Sequence, residues 1–180
     1  MRLPGAEVRR APAERLPFPD EGFDVTLAQL VVHFMTDPVA GLREMARVTR
    51  PGGVVAACVW DHARERGPLT VFWQAVRSLD PDAHDESGLA GAREGHLADL
   101  FAAAGLRDVR SSTLTVRTSF ASFDQWWEPY TLGVGPAGDH VQALDAAGRA
   151  ALRDRCASLL GEVWPLEVSA SAWTAVGRTR

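Results

Sequence analysis

Residues 13–61, AERLPFPDEGFDVTLAQLVVHFMTDPVAGLREMARVTRPGGVVAACVWD, read as one uninterrupted strand–helix–strand unit. Residues 23–30 contain neither Gly nor Pro and run on into Val31 and Val32. That run predicts a strand buried on both faces, central in a parallel sheet. Thr36 and Asp37 precede Pro38, which sets a capping oxygen before a proline at the first helical position, where its missing N–H costs nothing. Val39, Leu42, Met45, Ala46 and Thr49 recur at helical spacing and predict the side that lies on the sheet, with Arg43, Glu44, Arg47 and Arg50 on the other side. Pro51, Gly52 and Gly53 are expected to stop the helix. Residues 54–59 supply a second apolar run, and a right-handed crossover makes the two strands parallel neighbours. Ligands in such open sheets bind beyond the carboxyl ends of the strands. Function is therefore expected in residues 29–34 after the first strand and at Trp60, Asp61 and His62 after the second.

The stretch LPFPDEGFDVTLAQLVVHFMTDPVAGLREMARVTRPGGVV resembles the class I S-adenosylmethionine-dependent methyltransferases, in the small-molecule branch called methyltransferase type 11. The resemblance rests on LPF, FD, a strand, HFMTDP, LREMARV and RPGG in that order, and covers about a quarter of the chain. It implies an α/β fold: a Rossmann-like sheet lacking its first two strands, with a small helical lid insertion. Residues 7–11, 23–30 and 54–59 would be its third, fourth and fifth strands. The chain would form one partial methyltransferase domain, with residues 1–62 the remaining cofactor-side core and residues 63–180 the substrate and lid region with the last two strands. Activity is implied as well: S-adenosyl-L-methionine as cofactor, and in-line transfer of its methyl group to an unidentified small organic acceptor. Family members carry a glycine turn and a ribose-binding acid before the LPF segment, where this sequence has only Gly5. The expectation is an amino-terminally truncated chain, inactive alone. The alternative is a non-catalytic methyltransferase-like module, completed by a half that another chain supplies.

Site residues carry over one at a time. The family places an Asp-Ala pair before the LPF segment; here it is Pro12-Ala13, so adenine recognition is expected to fall on backbone groups of Ala13 and Glu14. Gln29 and Leu30 match positions lining the methionine side. His33 is the candidate catalytic residue, an imidazole able to take a proton from the acceptor, set against a structural role in which the ring packs or bonds a loop carbonyl. Trp60, His62, Trp126, Trp127 and Tyr130 are the candidate substrate-binding residues. Adjacent on a helix, Trp126 and Trp127 point to different sides, so at most one is expected to pack in the core while the other is free to wall a pocket.

Further along, helices are expected over residues 69–79, 97–104, 122–130 and 146–160, the last two forming the lid. Strands are expected over residues 109–120 and 168–176, the latter antiparallel at a sheet edge. A sheet without its first two strands would bare an apolar edge that invites aggregation, and roughly the first 20 residues would lack anything to tie them down.

Composition narrows the chemistry. The 180-residue chain has net charge −4 and no Lys, Ile or Asn, so all 19 basic residues are Arg. Schiff-base lysines, lysine phosphate loops and N-linked glycan sites are excluded. Without clustered cations, nucleic acid is not an expected partner. Cys58 and Cys156 read as free thiols rather than a disulfide, and the five histidines show no metal-ligand spacing with them, so no metal is expected. Lacking a signal-like or membrane-length apolar stretch, the sequence is expected to be cytoplasmic.

Overall fold

A computed structural model describes residues 5–180. In chain order the elements are β1 (Phe23–Gln29), α1 (Pro38–Val48), β2 (Thr49–Trp60), α2 (Thr70–Leu79) and α3 (His96–Ala103). There follow β3 (Arg107–Phe120), α4 (Phe123–Trp127), α5 (Gly135–Ala143), α6 (Ala146–Leu160) and β4 (Leu166–Arg178).

The helix signal in the sequence holds. The Asp37 carboxylate accepts the Ala40 N–H at 3.0 Å, Pro38 occupies the first turn, and Leu42, Met45 and Val48 are buried. Pro51, Gly52 and Gly53 play a different part from the one expected. α1 ends at Val48, and β2 starts at once from Thr49, taking the three residues into the strand. The ladder pairs Phe23 with Thr49 and next Val25 with Val54, so residues 50–53 bulge. Gly53 permits this, since a Cβ there would lie 2.8 Å from the Asp24 carbonyl. Beyond the bulge β1 and β2 run parallel to the Gln29–Cys58 pair, as the crossover predicts.

The sheet order is β1-β2-β4-β3, and it corrects three expectations. β1 lies at an edge rather than the centre, with Val25 48% and Leu27 74% exposed. Residues 7–11 form no strand and are exposed, because among the described residues no ladder is present for them to join. β4 runs inside the sheet, not along its edge. Thr179 N–H meets Gly53 O while Asp61 N–H meets Ser171 O, and Ser112 pairs with Thr174 as Thr115 pairs with Ser171, so β4 is antiparallel to both neighbours. Residues 170–175 are buried without a break, as suits an interior strand, whereas β3 is largely exposed.

The chain divides into two compact units. The first holds residues 5–59, Glu94–Ser112 and Trp173–Arg180, with a core of Val32, Leu42, Val55, Val59, Leu97 and Phe101. The second holds Trp60–Arg93 and Thr113–Ala172, with a core of Phe72, Val76, Trp126, Trp127, Leu152 and Cys156. Two helices were expected after β3; three form, with a 3-10 turn at Glu128–Leu132. The left-handed Gly133 breaks the first stretch and Pro136 opens the next. No helix among the described residues is long and apolar enough to cross a membrane.

Candidate functional site

Five of the residues singled out from sequence gather at one end of the first unit. β1 closes at Gln29, whose side is exposed, and Leu30 follows with φ +58°, its N–H donating to Cys58 O at 3.0 Å. A left-handed leucine is costly, of order 1–3 kcal/mol, and persists only where the surroundings enforce it. The chain then makes a 3-10 turn over Val32–Phe34. This turn buries Val32 and His33 and leaves Val31 and Phe34 exposed. The His33 ring sits 3.9 Å from the Phe34 ring, and burial pushes its pKa below the usual imidazole value.

The segment bearing Ala13 and Glu14 docks on α1. Glu14 Oε1 accepts the Asp37 N–H at 3.0 Å, and that bond, ahead of other backbone contacts, lowers its carboxyl pKa. Ala13 lies over Gly41, where a Cβ would be 3.5 Å from Ala13 Cβ and 2.5 Å from Met35 Sδ. Leu16 N–H donates to Glu44 Oε2 at 2.9 Å, while Arg47 donates to Leu16 O at 3.1 Å, Phe18 O at 3.0 Å and Asp20 Oδ1 at 2.5 Å. Arg47 also grips both oxygens of Glu44, at 2.8 and 2.9 Å, which lowers the Glu44 pKa. Sequence periodicity put Glu44 and Arg47 on the solvent side. Their real partner is the 13–21 segment, whose path no helical pattern discloses, and which is therefore tied down rather than loose. Among the described residues no hydrogen bond occupies the Ala13 N–H, whereas the Glu14 carboxylate is taken.

The remaining candidates belong to the second unit. Trp60, at the end of β2, is half-buried. His62 is buried, with Nε2 3.9 Å from Glu86 Oε1; Glu86 Oε2 accepts the Trp73 indole N–H at 3.0 Å. Burial raises the Glu86 pKa above the ordinary carboxylate value. Glu86 escaped the sequence reading, since an acid in an irregular polar loop gives no periodic signal. Nearby Arg77 bonds both Asp85 and Glu65. The tryptophan expectation needs correction: Trp126, at 3% exposure, and Trp127, at 6%, are both in the core. A five-residue helix flanked by aromatic rings buries two sides at once, with Trp127 stacked on Phe123 and Trp126 4.9 Å from Tyr130. Tyr130 is stacked on Phe72 and 8% exposed, and burial raises its pKa. These three side chains meet as packing and show no open wall.

Residues 2–57 match the methyltransferase domain family. A demethylmenaquinone methyltransferase from Mycobacterium sp. strain KMS is 38% identical over 117 residues, covering 57% of this chain and 50% of the relative. A phosphatidylethanolamine N-methyltransferase from Cereibacter sphaeroides is 41% identical over 77 residues, covering 43% and 37%. The chain spans about half the length, or less, of these curated relatives. Among solved structures, the YcgJ protein of Bacillus subtilis aligns with TM-score 0.53 at 17% identity over 96% of this chain and 70% of that one. The SAM-dependent methyltransferase TM1293 of Thermotoga maritima aligns with TM-score 0.50 at 16% identity, over 98% and 65%. The fold is the Rossmann-like class I methyltransferase fold with an open four-stranded sheet, and the curated relatives described above are named methyltransferases.

Proposed function

We propose that the protein serves methyl transfer from S-adenosylmethionine to a small organic nucleophile. One observation carries this reading: the left-handed Leu30 turn at the carboxyl end of β1 and the docked Ala13–Glu14 pair occur at the same end of the first unit. The residues present fit the cofactor in part. The open Ala13 N–H suits a ring nitrogen of adenine, while Pro12 offers no donor and the Glu14 carboxylate is held by Asp37. Gln29 and Leu30 would meet the methionine side.

When bound, the cofactor supplies a methyl group on a sulfonium, which the acceptor attacks in line, leaving S-adenosylhomocysteine and a proton. The chain's part is to orient the partners. For His33, buried beside the Phe34 ring with its pKa lowered by burial, the proposed role is packing rather than that of the base. For the acceptor, Trp60 and His62 remain the proposed contacts in the second unit; Trp126, Trp127 and Tyr130 would act by shaping it from within. The relatives are named for different acceptors, demethylmenaquinone and phosphatidylethanolamine, so the proposal stops at a small organic acceptor.

A second reading draws on the open edge of β1: a methyltransferase-like module that another polypeptide completes. Calorimetric titration with S-adenosylhomocysteine separates the two. The first predicts weak but saturable binding, of order 0.1–1 mM or roughly 4–5.5 kcal/mol, that Gln29→Ala weakens. Absence of heat at millimolar ligand rejects it in favour of the second.

A further inference from the structure

The 13–21 segment is touched by the backbone N–H of Asp37, which caps α1, and by Gly41, Glu44 and Arg47 within the helix, spaced four, three and three along the chain. That spacing is one stripe of a helix, distinct from Leu42, Met45 and Val48, which carry the core. We infer that this stripe is a positioning device for the cofactor, in which Glu44 and Arg47 fix the main chain of Leu16 and Phe18 and so set where the Ala13 N–H stands. The inference rests on the methyl-transfer reading for its ligand but on geometry alone for the clamp.

The division of labour follows from each side chain. Glu14 fastens the segment at the amino end of the helix through Asp37 N–H. Gly41 makes room for Met35, whose Sδ a Cβ would meet at 2.5 Å, and lies in ordinary contact range of Ala13 Cβ at 3.5 Å. Glu44 takes the Leu16 N–H while Arg47 takes the Leu16 and Phe18 carbonyls and the Asp20 carboxylate. The Arg47 main-chain carbonyl adds a last bond from Glu21 N–H at 2.9 Å. Only a planar guanidinium reaches this many acceptors in fixed directions, so lysine is no substitute. Among the described residues the Ala13 N–H donates to none, which is what a ligand-facing amide held by its neighbours requires.

Hydrogen–deuterium exchange with mass spectrometry tests the clamp without the cofactor. In Arg47→Lys the amides of residues 13–21 should exchange about tenfold faster while residues 54–59 of β2 keep their protection. Glu44→Gln, which preserves shape, should give the same pattern more weakly and serves if the lysine variant fails to fold. The dissociation constant for S-adenosylhomocysteine should rise about tenfold in parallel. Unchanged exchange across 13–21 in both variants overturns the clamp. Faster exchange with unaltered affinity overturns the positioning role, leaving the methyl-transfer reading intact. A wild type with no affinity, whose segment still loosens on substitution, sinks the parent reading and reduces the stripe to structure.

Discussion

Protonating His33 opposes folding, because burial lowers the pKa of its imidazole in the folded chain relative to the unfolded one. Its folded pKa lies below the unfolded value, so the unfolded state binds more protons in the interval between them, and stability falls as pH drops below about 6.5. Replacing it with the uncharged His33→Gln should remove one proton's worth of that dependence. The stability difference between wild type and variant should change by at most about 1.4 kcal/mol per pH unit between pH 6.5 and 5. Parallel urea curves across that interval would show instead that His33 titrates alike in both states. Glu86 acts with the opposite sign, its raised pKa withdrawing stability as pH climbs. Trp127 is the other residue whose role is decided by burial. Trp127→Ala should cost about 3–5 kcal/mol, as loss of a core aromatic does, read as an earlier denaturant midpoint. A loss below 1 kcal/mol would mean that the ring is not core after all. Adjacency in sequence could not have foretold this, since two neighbours on a long helix diverge, whereas this one is short and roofed by Phe123 and Tyr130.

α1 shows what a local pattern can and cannot carry. Its cap, its proline and its apolar stripe are all local chemistry, and each was legible. Its second stripe was not, because Asp37, Gly41, Glu44 and Arg47 become a stripe only once an irregular segment lies across them. The strand start at Thr49 was hidden for a related reason: Pro51-Gly52-Gly53 stop a helix and equally well form a bulge, and only the β1 register chooses. Among site residues the same rule applies, with Leu30 and His33 placed by their strand end and Glu86 found only through Trp73 and His62. The cap itself can be tested. Asp37→Ala removes the acceptor for Ala40 N–H but keeps the backbone N–H that Glu14 uses. Stability should fall by about 1 kcal/mol, with exchange in residues 13–21 little altered. If that segment loosens as much as it does in Arg47→Lys, cap and clamp are not separable.

At the scale of the whole molecule the unusual feature is a parallel strand pair with one side uncovered. Thr26 and Ala28 face the core of the first unit, while Phe23, Val25 and Leu27 are 38%, 48% and 74% exposed. Val54 and Ala56, the ladder partners of Val25 and Leu27, are only half-buried. Parallel sheets are ordinarily covered on both faces, and an apolar edge strand with free backbone groups pairs readily with whatever strand it meets. Asp24, bonded to Arg50 at 2.6 Å, is the single charge within β1, too little to discourage such pairing. Leu27→Glu should therefore suppress self-association while leaving the fold nearly as stable, within about 0.5 kcal/mol, since a side chain so exposed contributes little. Light scattering over a concentration series, with thermal melts alongside, measures both quantities. A wild type that stays monodisperse at the highest attainable concentration would show that β1 is already protected, and a variant that scatters as much as wild type would move the sticky surface elsewhere.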